Sequence, residues 1–155
     1  MKKTVTIGAL ACAAAAGAVA VPFVNAAPSA TGALTAKLTG AAERPGPGDP
    51  NGRGTAVIRM NAARERVCFN ISMRRIAGSM AAHIHEAPAG EPGPIVVTLF
   101  STPSNRRLRR GCVTDVDAAL IRRILASPRS FYVNVHNADF EGGAIRGQLR
   151  RKPKS

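Results

Sequence analysis

The feature that most limits what this chain can fold into is a period of two. Val67, Phe69, Ile71 and Met73 alternate strictly with Cys68, Asn70, Ser72 and Arg74. Successive side chains of a strand point to opposite faces, so this pattern gives one apolar face in a strand and none in a helix. Ala56, Ile58 and Met60 alternate with Val57 and Arg59 just upstream. The polar turn Asn61 to Arg66 makes the two segments a hairpin. The same reading places strands at Thr35–Leu38, Met80–His85, Ile95–Phe100, Phe131–His136 and Ala144–Arg150. Ile95–Phe100 is apolar almost throughout, which predicts a centrally buried strand. Gly40–Gly54 holds Pro45, Gly46, Pro47, Gly48, Pro50 and Gly52 and reads as a loop. Ser101–Gly111 reads as a polar, basic connection. One helix is expected over Asp115–Ala126, with Thr114 and Asp117 as a capping box and Val116, Leu120, Ile121, Ile124 and Leu125 as its apolar stripe. Pro128 stops it. The sum is an all-β fold, an antiparallel Greek-key-like β-sandwich with one short helix.

The first residues do not belong to that pattern. Lys2 and Lys3 precede an uncharged Ala/Gly/Val-rich run from Thr4 to Val24, and Val24-Asn25-Ala26 offers a small-residue cleavage site. Residues 1–26 therefore read as a signal peptide, 27–150 as the domain and 151–155 as a basic C-terminal tail. An uncleaved anchor and a lipoprotein signal at Cys12 are the weaker alternatives. No transmembrane span is expected after processing, and the destination is secreted or periplasmic/extracellular. Cleavage removes Cys12 and leaves Cys68 and Cys112, which an oxidising compartment would join in one disulfide.

The chain carries 17 Arg and 5 Lys against 9 acidic residues, a formal charge of +13. Such a surface attracts anions. Arg106, Arg107, Arg109 and Arg110 cluster around Leu108 as a candidate contact for an anionic surface or glycan, or as a plain solvated loop. Aromatics are 4% and do not interleave with the arginines, so no nucleic acid is expected as partner.

The three histidines carry the most chemistry. His83 and His85 lie two apart in one strand and share a face. In the strand Phe131–His136 the apolar residues Phe131, Val133 and Val135 take the core, which leaves Tyr132, Asn134 and His136 opposite. Two strands can thus bring three neutral imidazoles to one metal, with an open position for water or a small substrate. Copper suits that donor set best and zinc less well. Tyr132 and Asn134 are placed to orient the ligands. Three ordinary histidines without a metal remain the plain alternative. Paired catalytic carboxylates, a Ser/His/Asp set and a phosphate-binding glycine loop are not evident.

Two motifs resemble the CHRD domain, the module first described in chordin. Ala82-His83-Ile84-His85 with Pro88-Ala89-Gly90-Glu91-Pro92-Gly93-Pro94-Ile95-Val96-Val97 is similar to its first signature. Phe131-Tyr132-Val133-Asn134-Val135-His136 with Gly142-Gly143-Ala144-Ile145-Arg146-Gly147-Gln148-Leu149 is similar to its second. Leu34 to Pro47, with Gly40 and Glu43, resembles the opening strand and loop. Glu86 and Ala144 depart from the family pattern near the supposed site. A fainter resemblance is to the copper half of the Cu/Zn superoxide dismutases. It implies His83, His85 and His136 as copper ligands and Arg146 as a catalytic guide for a small anionic substrate, in a copper-only site lacking that family's bridging and zinc-binding histidines. A superoxide dismutase-like activity is the enzymatic expectation; a non-catalytic binding or matrix module with no metal is the alternative. Arg146 pairing Asp139 or Glu141 is its structural alternative.

Overall fold

A computed structural model describes residues 30–152. The expected leader and its cleavage site, and residues 153–155, lie outside the described residues. Nine strands and one helix follow in order: β1 Thr31–Thr39, β2 Arg53–Asn61, β3 Arg66–Arg74, β4 Ser79–Glu86, β5 Ile95–Phe100, β6 Leu108–Val113, α1 Ala118–Ala126, β7 Phe131–Asn137, β8 Ile145–Gln148 and β9 Arg150–Arg151. The strands pair antiparallel in the order β5-β4-β7-β8-β1-β2-β3-β6, with β9 added beside β1. This is the expected antiparallel sandwich, curled until its two edges approach each other. Phe69 of β3 meets Phe100 of β5 at 5.8 Å between ring centres, and Arg109 of β6 lies 3.9 Å over the Phe100 ring.

The alternation read from the sequence is the alternation of burial. Val67, Ile71 and Met73 are almost wholly enclosed, as are Ile58 opposite and Leu34 and Leu38 of β1. The β2–β3 hairpin pairs Ile58 with Phe69 and Ala56 with Ile71. Helix α1 closes one side of the core with Ile121, Ile124 and Leu125.

Three expectations are corrected. Ile95–Phe100 is an edge strand, not a central one, and Ile95 is exposed; the run is apolar because its inward half packs on the core and β6 covers Phe100. Ser101–Gly111 is not all connection: Leu108–Val113 pairs with β3 from Ser72 to Val67. The helix starts three residues later than predicted. Asp117, not Thr114, caps it, its side chain accepting the Ala119 N–H at 2.6 Å, while Thr114 donates to Asp115. Arg151, near the end of the described residues, pairs with Leu34 in β9.

Cys68 and Cys112 stand directly opposite each other on β3 and β6 and are joined by the expected disulfide. Among the described residues no helix is long and apolar enough to cross a membrane.

Candidate metal centre

Strands β4 and β7 build the centre. Their register sets His83 opposite Asn134, His85 opposite Tyr132 and Ala81 opposite His136. His83, His85 and His136 each offer a ring nitrogen, and these nitrogens lie within 4.8 Å of one another. The strand phases therefore bring all three predicted ligands together on the face away from the core. That face is not open, however. Tyr132 and Asn134 are each 3% exposed: the segment between β4 and β5 folds back over Tyr132, and the His85 and His136 rings close over Asn134. This segment, residues 87–94, is held by Gln148 Nε2 donating to the Ala87 carbonyl at 2.7 Å and by the Glu86 N–H donating to the Pro94 carbonyl at 3.1 Å.

Carbonyl groups fix two of the rings. His85 Nδ1 lies 2.8 Å from the Gly93 carbonyl, and His136 Nδ1 lies 2.7 Å from the Glu141 carbonyl. A carbonyl only accepts, so each Nδ1 carries the proton and each Nε2 presents a lone pair. The Asn134 amide lies 3.0 Å from His85 Nε2 and 3.1 Å from His136 Nε2. His83 has no carbonyl partner; its Nδ1 lies 3.1 Å from His136 Nε2. A bound metal would replace these contacts, taking Nδ1 of His83 and Nε2 of His85 and His136. Metal–imidazole bonds of about 2.0 Å put such nitrogens no more than about 4 Å apart, so the rings need close in by under about 1 Å.

Electrostatics keeps His83 and His85 neutral. Burial pushes His83 down to about 4, helped by the neighbouring His136 and His85. Burial also lowers His85, against the opposing hydrogen bonds from Gly93 and Asn134. A neutral ring keeps an unprotonated nitrogen that a metal can take, as a ligand requires.

Behind the centre runs a stack across three strands. The Tyr132 ring lies parallel to His85 at 4.7 Å, and the Arg146 guanidinium of β8 sits 3.3 Å over the Tyr132 ring. Arg146 pairs with neither Asp139 nor Glu141. Its Nη2 donates to the carbonyls of Glu91 at 2.7 Å and Pro88 at 3.2 Å, and it is 2% exposed. It therefore clamps the 87–94 segment, and its charge still reaches His85 and lowers it. The Tyr132 hydroxyl accepts the Gly93 N–H at 3.3 Å, tying ring and segment together.

Glu43 was visible only as a motif residue in the Pro/Gly loop. Its carboxylate is buried with no hydrogen-bond partner, and Arg146 Nη1 is buried without one too. Burial pushes Glu43 up to about 7, with Arg146 pulling the other way. The carboxylate fills the place where Gly143, at φ 138°, has no Cβ. Glu86 turns from the histidines to an ion pair with Arg123 of α1 at 2.8 Å. Ala144 is buried in the β7–β8 turn and holds Asp49 and Val135 through its backbone.

What the sequence could not indicate is the carbonyl set of Pro88, Glu91, Gly93 and Glu141. Backbone groups leave no trace in residue identity, although the Gly/Pro density of 87–94 marked a segment able to approach closely.

The family model for the CHRD domain matches residues 34–149. No curated protein and no solved structure gives a significant match to the chain.

Proposed function

The chain belongs to the CHRD-domain family, and from that premise we propose that it is an exported domain holding one transition-metal ion, copper best of all, at His83, His85 and His136. The observation that carries this reading is the convergence of three histidine ring nitrogens within 4.8 Å, two of them on rings oriented by carbonyl groups. Ligating histidines are oriented this way through their other nitrogen. Imidazole donors without a thiolate favour copper among the divalent ions, and the disulfide removes both cysteines from competition. The same disulfide supports an oxidising destination outside the cytoplasm.

Bound copper supplies one-electron exchange with a small anion such as superoxide. The chain's own groups then have distinct tasks. Asn134 lies between the His85 and His136 rings and keeps them facing each other. Tyr132 fixes the plane of His85 from behind. Arg146 adds a positive field through the stack and locks the 87–94 segment over it.

A second reading, a metal-holding or binding module without turnover, is favoured by the enclosure of Arg146. A guanidinium 2% exposed and bonded to two carbonyls does not reach out to an incoming anion.

Copper titration of the purified domain at neutral pH, followed by native mass spectrometry and electron paramagnetic resonance, tests the proposal. One copper per chain with nitrogen ligation is expected, and His83→Ala, His85→Ala and His136→Ala should each abolish or greatly weaken it. A wild-type domain that takes up no metal removes the reading altogether. If copper binds but superoxide decays no faster than in buffer, the module without turnover stands.

A further inference from the structure

The arginines regroup when the chain folds. Arg109 and Arg110 leave the cluster read from the sequence. Arg109 donates to Thr102 and Ser79 and stacks on Phe100, while Arg110 stands across from Asn70 on β6. Arg106 and Arg107 instead face Arg74 and Arg75 of the β3–β4 turn across a hollow of about 150 Å³ that also takes in Asn105. An adjoining hollow of about 350 Å³ is lined by Arg53, Arg74, Arg75 and Arg107 alone.

Several features of this corner gather positive charge that the chain itself does not neutralise. Arg53 and Arg74 are direct cross-strand partners, and like charges in that relation destabilise a sheet. Arg75 adopts φ 58°, in the left-handed region that a side chain with a Cβ enters at a cost. The Arg107 carbonyl accepts the Met73 N–H at 2.7 Å, which pins the β5–β6 connection against β3 and brings its charge in. No acidic residue lines either hollow. Asp49, the acid of the preceding loop, is spent on the N–H groups of Asn51 and Gly52. Among the described residues the side chains of Arg74, Arg75, Arg106 and Arg107 make no hydrogen bond or ion pair within the chain. Arg53 is held at the rim by the carbonyls of Gly52 and Pro50 at 2.6 and 3.2 Å.

We propose that these joined hollows bind a multivalent oxyanion chain, phosphate or sulfate groups carried on a flexible polymer, at a site that shares no residue with the histidine centre. Guanidinium forks match the paired oxygens of phosphate and sulfate. Five of them over two hollows exceed what a single such group can neutralise, so the ligand carries several. Neither lining contains an aromatic ring, so nucleic-acid bases find no stacking platform.

Isothermal titration of the mature domain with inorganic tripolyphosphate, and separately with dextran sulfate, tests this at low salt. Saturable binding of tripolyphosphate at one site per chain is expected, tighter than orthophosphate, and the relative strength of dextran sulfate tells phosphate from sulfate polymers. Arg74→Gln combined with Arg107→Gln should weaken binding about ten-fold or more, a loss of about 1.4 kcal/mol. Arg59→Gln combined with Arg64→Gln removes the same charge elsewhere and should change it less than about two-fold; His136→Ala should not change it. The folded state survives the first pair, because Arg74→Gln relieves the repulsion with Arg53, and an unshifted or raised Tm verifies that. Equal losses for the two charge-matched pairs would mean a diffuse field and overturn the site. Absence of saturable binding, or an oligonucleotide of equal charge binding as tightly through the same two arginines, would overturn it as well.

Discussion

At the scale of single residues, Glu43 is the group whose behaviour sequence logic leaves open, because nothing about a glutamate in a Pro/Gly loop says that it will be enclosed. Its carboxyl is pushed up to about 7 from an ordinary 4.5, mainly by burial. Between those values the folded chain holds a proton that the unfolded chain has lost. The stability this group contributes is therefore complete below about pH 4.5 and lost as pH rises through 7. Glu43→Gln cannot ionise, so it should gain relative to wild type between pH 4.5 and pH 8, by up to about 3 kcal/mol. The opposing contribution of His83, pushed down to about 4, is present in both proteins and cancels from the comparison. Urea unfolding of both proteins at the two pH values measures it. A difference between them that is the same at both pH values would show that Glu43 is not titrating in the folded chain.

At the scale of elements, the strands were legible wherever one face is dry and the other wet, as in β3. β6 was not, because Leu108, Arg109, Arg110, Gly111, Cys112 and Val113 carry no period of two. What makes that segment a strand is β3 beside it and the disulfide across the pair. Cys68→Ala with Cys112→Ala should therefore cost roughly 2–4 kcal/mol, the range for a closed loop of this size, and guanidinium unfolding checks it. Hydrogen exchange should then quicken first in β6. The histidine phases were legible by the same alternation, but the enclosure of Tyr132, Asn134 and Arg146 was not. Alternation assigns a residue to a face; it does not say that residues 87–94 will cover that face. Gly93 makes the cover fit, since a Cβ there would overlap the Glu86 carbonyl. Gly93→Ala should displace the carbonyl that orients His85 and the N–H that holds Tyr132, and copper affinity should fall by about ten-fold or more, as for loss of a partner that orients a ligand. Unchanged copper affinity by competition with a calibrated chelator would separate the segment from the metal centre.

At the scale of the whole molecule, the centre lies where β4 and β7 meet, and the stack carries it on to β8, so occupying it should brace the sheet across three adjacent strands. The unfolded chain has no such arrangement of three imidazoles, so metal bound to the folded chain raises stability by mass action. Free copper at a hundred times its Kd adds about 2.7 kcal/mol. For a domain of this length that is a rise in Tm of about 10 °C. His136→Ala should show almost none of it at the same copper concentration. Acid should remove it, because protons and metal compete for the same lone pairs and a protonated ring cannot ligate. Burial delays that competition at His83 and His85, whose lone pairs remain free at acidities where an exposed imidazole is already charged. The increment should therefore be large at pH 7.5 and gone near pH 4, where His83 itself protonates. Calorimetric scans with and without copper at both pH values read it directly. A copper-dependent rise that is as large at pH 4 as at pH 7.5, or that survives His136→Ala undiminished, would place the metal somewhere other than on these three histidines.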